Sequence, residues 1–360
     1  MKRLLVFLLL FVFSLMLPLG CVSHNSNSTE GKNAQENLLS VYNWSTYIDP
    51  EAIAEFEKQF GAKVKYDTYE NNEELYAKLK PGNPGYDIIF PSDYMVTIMA
   101  KENLVEELHL ENIPNIKNID PKFLNPPFDP QNKYSLPYQW GTMGLGYNIK
   151  KTGGEIDSWA EIFNPKYKAR VALIDELRSM LGGILIYLGY DPNTTNPDEI
   201  TKAKDYLIQH KDSIAAFAQD NGQLLLDQGE VDITVEWSGD IFQVMEENSD
   251  LRYALPKEGS LVWIDNMSIP KNAPHKELAE KFINFLLEPK ISAKISNFIK
   301  YATPNKTAIE MGLIDRKDLN NKEIYPSKAV FNRLTYLRDV GAASKLYDEA
   351  WTEVKVEVGK

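Results

Sequence analysis

Of the 360 residues only one is cysteine, Cys21, and only four are histidine. A single cysteine excludes an internal disulfide, so the fold must rest on its core alone. His24, His109, His210 and His275 stand apart from one another and from acid clusters in the sequence, which argues against a catalytic dyad or a zinc site. No P-loop is present, and Gly141-Thr-Met-Gly144-Leu-Gly146 fits a dinucleotide fingerprint neither in spacing nor in position before a helix. Positive charge is scarce too: 39 Lys plus Arg face 51 Asp plus Glu, for a net charge of −12. That balance disfavours nucleic acid and anionic lipid as partners and attracts small cations. What remains is globular in composition, 43% hydrophobic and 25% charged, long enough for two domains and free of internal repeats or heptads.

The amino terminus reads as an address. Met1-Lys2-Arg3 is followed by an apolar run from Leu4 to Leu17 and then by Pro18-Leu19-Gly20-Cys21. Residues 1–20 are expected to be a secretory signal peptide, the run being short for a bilayer span. Without Lys2 and Arg3 the mature chain carries −14. Gly20-Cys21 after the apolar run resembles the lipobox of bacterial lipoproteins, although Pro18 is unusual there; the resemblance implies that Cys21 takes the lipid and becomes the first residue. Residues 21–37, rich in Asn, Ser, Gly and Lys, are expected to be a flexible tether. Its 16 residues after the cysteine would span roughly 20–24 Å. The protein is thus expected outside the cytoplasm, in a periplasm or on the outer face of the cell membrane, lipid-anchored.

From Leu38 onward, short β-rich runs alternate with amphipathic helical segments, as in an α/β protein with largely parallel sheets. Strands are expected at 39–42, 63–66, 87–90, 144–148, 170–174, 232–236 and 267–269. The first helix is the best marked: Asp49 can cap it, Pro50 suits its first turn, Ile53, Phe56 and Phe60 share a face, and Gly61 ends it. A second helix should follow Ser92, and a third should run from about His275 to Glu288 and stop at Pro289.

Aromatic residues and acids recur at the carboxyl ends of the expected strands, where α/β folds place their ligands. The segments are 42–47 with Trp44, Ser45 and Tyr47, 90–94 with Ser92 and Tyr94, 174–176 with Glu176, 236–240 with Trp237 and Asp240, and 262–265 with Trp263 and Asp265. Trp140, Trp159 and Trp351 read as core. Aromatic faces beside carboxylates suit a ligand that is both cationic and aliphatic, because rings attract ammonium groups while packing against methylenes. In a straight strand Trp263 and Asp265 share a face and can engage the same ammonium. A sugar would use the same aromatics but prefers Asn, Gln and Arg among the acids.

At these segments the sequence resembles the bacterial spermidine/putrescine-binding proteins, the extracytoplasmic receptors of polyamine ABC transporters. The likeness covers nearly all of Leu38 to Gly359 and includes Tyr42-Asn43-Trp44, Tyr76-Ala77-Lys78-Leu79, residues 137–141, residues 301–305 and residues 339–343. It implies a type II periplasmic-binding-protein fold, two lobes with central mixed sheets and a ligand cleft between them. The expected lobes are 38–144 plus 264–311 and 145–263 plus 312–360. The family's aromatic walls fall on Trp44, Tyr47, Tyr94, Trp237, Trp263 and Tyr301, its ammonium-binding acids on Glu176, Asp240 and Asp265, and its smaller polar contacts on Ser45 and Ser92. Ser45, Asp240 and Leu337 look like the putrescine-preferring pattern, whereas Tyr94, Glu176 and Trp263 look like the spermidine pattern. An acid that both types hold one helical turn after Glu176 appears here as Ser179, and Arg178 stands close enough in sequence to pair with Glu176.

The expectation is therefore a monomeric, non-enzymatic receptor that captures a polyamine and presents it to an ABC transporter permease, without cofactor or metal. Two alternatives stay open. One is a receptor for another cationic or carbohydrate solute, and the other a secreted carbohydrate-active enzyme that cuts sugar with a pair of carboxylates. A ferric-iron receptor is disfavoured by the absence of adjacent paired tyrosines.

Overall fold

The computed structural model describes residues 37–359; the expected signal peptide, Cys21 and all but the last residue of the tether lie outside the described residues. The first strand, β1 (Leu38–Trp44), leads into α1 (Pro50–Phe60), whose start is built as its sequence requires. Asp49 accepts a hydrogen bond from the Glu51 amide at 2.8 Å, Pro50 occupies the first turn, and Gly61 closes the helix with φ 62°. Phe56 on its inner face is fully buried and packs edge-on against Phe282 at 4.7 Å between ring centres.

Next come β2 (Lys63–Tyr69), α2 (Asn72–Leu79), the short β3 (Ile88–Ile89) and α3 (Asp93–Lys101). β1 pairs in parallel with both β2 and β3. A 14-residue strand, β4 (Ser135–Asn148), then runs far beyond the expected 144–148. It is followed by β5 (Val171–Ile174), α4 (Leu177–Tyr187), α5 (Pro197–Gln209), β6 (Ile214–Ala218), β7 (Ile233–Trp237), α6 (Ser238–Met245), β8 (Leu251–Ala254) and β9 (Ser260–Ser268).

The sheet order β2-β1-β3-β9-β4-β7-β5-β6 makes β9 and β4 the centre of the molecule. β4 pairs antiparallel with β9 over Ser135–Thr142 and, in its second half, with β7 and β8. β5 lies parallel to both β6 and β7. The mixed α/β architecture expected from the sequence is present, with two corrections. Trp263 and Asp265 sit in the middle of β9 rather than at a strand end. Pro289 stops α7 (Lys276–Leu286), and it also opens a further helix, α8 (Pro289–Ile299), because a ring without an N–H costs nothing in a first turn.

Two histidines meet single acids far from them in sequence: His275 Nδ1 lies 3.1 Å from buried Asp87, and His109 Nδ1 lies 3.1 Å from buried Glu280. The chain closes with β10 (Leu334–Thr335), which pairs with β9, and α9 (Ser344–Val358), which packs on α5. Trp140, Trp159 and Trp351 are core residues at 5%, 0% and 3% exposure. Among the described residues no helix is long and apolar enough to cross a membrane.

Candidate functional site

The carboxyl ends of the parallel strands converge on one slot-like cavity, with β9 passing along it. Its walls bound about 540 Å³ of atom-free space, solvent at the mouth included. Each of the eleven site residues expected from the sequence lines it.

From the end of β1 come Trp44, Ser45 and Tyr47. The Trp44 indole donates to the Phe90 carbonyl at 2.9 Å, and Tyr69 donates to the same oxygen at 2.7 Å, so the first ring wall is fixed from behind. From the end of β3 comes Ser92, which occupies the cap position of α3 without capping it. Its hydroxyl instead donates to Asp265 Oδ1 at 2.7 Å and accepts from Asn72 Nδ2 at 3.0 Å. Next to it Tyr94 donates to Glu176 Oε1 at 2.8 Å. Glu176 caps α4, its Oε2 accepting the Ser179 amide at 2.7 Å. The backbone of Ser179 thus binds Glu176 where the resembled family has an acid.

Arg178 does not pair with Glu176. Its guanidinium turns away, stacks on Tyr347 at 4.5 Å and donates to the Arg338 carbonyl. At the end of β7, Trp237 stands nearly perpendicular to Trp263, 5.8 Å between centres, and Trp263 in turn meets Tyr301 at 5.1 Å. Tyr301 donates to Asp240 Oδ2 at 2.5 Å, and its ring lies directly on Gly239, where a Cβ would come within 2.4 Å. Only glycine permits that approach. Thr46 adds a bond to Asp240 Oδ1 at 3.1 Å from a left-handed backbone, φ 45°, a conformation that costs a β-branched residue on the order of 1–3 kcal/mol.

The lining contains five acids, Asp93, Glu176, Asp220, Asp240 and Asp265, and no Lys, Arg or His. None of the five takes part in an ion pair among the described residues. Burial pushes the Asp265 carboxyl up to about 7, partly countered by the Ser92 hydrogen bond. The Tyr47 hydroxyl faces Asp265 but falls outside hydrogen-bond geometry. Burial likewise raises Asp240 to about 6 against the Tyr301 and Thr46 bonds, and holds Asp93 well above the usual carboxylate range. The Trp263 indole N–H has no hydrogen-bond partner among the described residues.

Asp93 and Val262, from the expected segments 90–94 and 262–265, also line the cavity, and so do Asn72, Asp220 and Leu261, which were not anticipated. Asp220 follows β6, a strand whose Ile-Ala-Ala-Phe-Ala sequence lacks clear alternation. Without that strand there was no reason to inspect its end.

A family model described as bacterial extracellular solute-binding protein matches residues 51–322. The chain is 39% identical over 321 residues to the spermidine/putrescine-binding periplasmic protein of Escherichia coli, covering 89% of this chain and 92% of the relative. Among solved structures it is similar to a putative spermidine/putrescine ABC transporter protein from Listeria monocytogenes, with a TM-score of 0.85, 38% identity and coverage of 89% and 99% of the two chains. A Treponema pallidum lipoprotein superposes with a TM-score of 0.78 at 29% identity, covering 89% and 99%. The chain belongs to the bacterial extracellular solute-binding protein family.

Proposed function

We propose that this extracytoplasmic solute-binding protein captures a polyamine, putrescine or spermidine, and delivers it to the permease of an ABC transporter. The observation that carries the reading is a cavity lined by five acids, three tryptophans and no base. Buried carboxylates without cations are costly, and a ligand bearing ammonium groups removes the cost by supplying the missing charges. The indole and phenol faces of Trp44, Trp237, Trp263 and Tyr301 then hold the methylenes and attract the ammonium ends, each by about 0.5–2 kcal/mol. A neutral sugar would leave all five acids uncompensated. Calorimetric titration of the soluble mature domain with putrescine and with spermidine tests the reading: saturable binding of either is expected, and heat from neither would end it.

Segments 38–144 plus 264–311 and 145–263 plus 312–360 act as two lobes that close on the ligand. In support, Ser45 and Asp220, Thr46 and Asp240, and Tyr94 and Glu176 are hydrogen-bonded pairs, each joining one set of segments to the other. Ligand binding selects the closed form, in which the permease recognises the monomer. The chemistry needs neither cofactor nor metal, and no residue is assigned a catalytic role.

The receptor is held to the membrane by lipid on Cys21, a reading supported by Gly20-Cys21 and by the likeness to a lipoprotein. Replacing Cys21 with Ala should move the protein from the membrane fraction to the soluble fraction of expressing cells. Retention in the membrane would remove the lipid anchor from the account.

A further inference from the structure

We propose that Asp220 is a ligand-binding acid that meets one ammonium end of the polyamine together with Asp240, with Glu236 standing behind both. The inference rests on the polyamine reading and adds a residue to it. Asp220, Glu236 and Asp240 each offer a carboxylate oxygen within 4.8 Å of the others. Glu236 is fully buried, and its Oε2 has no hydrogen-bond partner among the described residues, leaving an orphaned carboxyl oxygen beside the other two acids. No cation of the protein pairs with any of the three among the described residues.

The available lone pairs distinguish the two acids that reach the cavity. Asp240 is already engaged on both oxygens, Oδ1 by Thr46 and Gln243 and Oδ2 by Tyr301. Asp220 uses only Oδ2, which accepts the Ser45 hydroxyl, so Oδ1 is left for a ligand. An ammonium group carries three N–H donors and needs several acceptors around it. Asp240 keeps one lone pair on Oδ2 for the ammonium, and Asp220 supplies a second acceptor and a second charge. Its backbone is left-handed, φ 43°, which turns the residue out of β6 and toward the slot. Two adjoining carboxylates also discriminate: a neutral end, or an alkyl end of a monoamine, leaves both anions buried and unpaired.

The test compares wild type with Asp220→Asn, which keeps an acceptor for Ser45 while removing the charge and turning an amide donor toward the ligand. Affinity for the better-bound of putrescine and spermidine, measured by calorimetry at pH 8, should fall at least about tenfold, a cost expected when one partner of a buried charge pair is neutralised. The melting temperature without ligand should stay the same or rise, because a like charge beside Asp240 and Glu236 has gone. Undiminished affinity in Asp220→Asn, or an unliganded melting temperature that falls in step with affinity, overturns the assignment and leaves Asp220 as a structural partner of Ser45. Should Asp220→Asn not fold, Glu236→Gln replaces it, with at least about fivefold weaker binding expected from the loss of the rear charge and unchanged binding counting against the cage. Titration with calcium chloride alone addresses the other cation that oxygen ligands suit. Calcium binding that is lost in Asp220→Asn while polyamine binding is kept would reassign the cage to a divalent ion. Failure of wild type to bind either polyamine would instead defeat the functional reading itself, and this inference with it.

Discussion

Replacing Asp265 with Asn should weaken polyamine binding by between about 30-fold and several thousandfold, the range that follows from removing one charge of a desolvated pair. The size of the effect comes from how the residue is held. Asp265 lies mid-strand on β9, 5% exposed, beside Trp263 on the same face, with the Ser92 hydroxyl 2.7 Å from one oxygen. Asn at this position can still accept from Ser92, so the loss falls on the ammonium and not on the fold. Its amide would also turn donors toward a group that has only donors to offer. Titration of the variant settles the matter, and wild-type affinity would show that the positive end of the ligand rests elsewhere.

Affinity should also collapse in acid. Burial raises Asp240 to about 6 and Asp265 to about 7, with Glu236 behind them at about 8. An ammonium pairs with the ionised carboxylate, so the protons on Asp240 and Asp265, which meet it, must leave when the ligand enters, while Glu236 behind them keeps its own. At pH 5 Asp265 is about two units and Asp240 about one unit below its midpoint, and a unit costs a factor of ten per proton displaced. Binding should therefore weaken by roughly 10³-fold between pH 8 and pH 5.

The unliganded protein should respond in the opposite sense. These acids titrate higher in the folded chain than near 4, where they titrate unfolded, so their contribution favours folding at low pH and is lost as pH rises through 6 to 8. Melting curves from pH 5 to pH 8 with and without polyamine would reveal both trends. An affinity independent of pH would mean that the cavity acids are already ionised in the free protein, contrary to the burial argument.

The sequence made the aromatic walls and the acids legible because Trp, Tyr, Asp and Glu rarely cluster at successive strand ends without a ligand to explain them. It also showed α1 in full, since Asp49, Pro50 and Gly61 act locally. It failed where long-range pairing overrides local preference. β4 contains Pro137, Gly141, Gly144 and Gly146, all poor strand formers, yet it forms the longest strand because β9, β7 and β8 supply its partners. β6 was missed for its alanines, and Asp220 with it. The orientation of Arg178 was equally hidden: adjacency to Glu176 in sequence says nothing about a helix that points the two side chains apart.

Trp237 and Trp263 stand at right angles in the cavity wall, with Trp44 nearby, while the other three tryptophans are sealed in the core. The molecule therefore carries an optical gauge of its own occupancy. An ammonium arriving against the indole faces that line the cavity alters the field felt by three of the six tryptophans and leaves the rest as an internal reference, so ligand entry is written into the protein's own fluorescence without a dye or label.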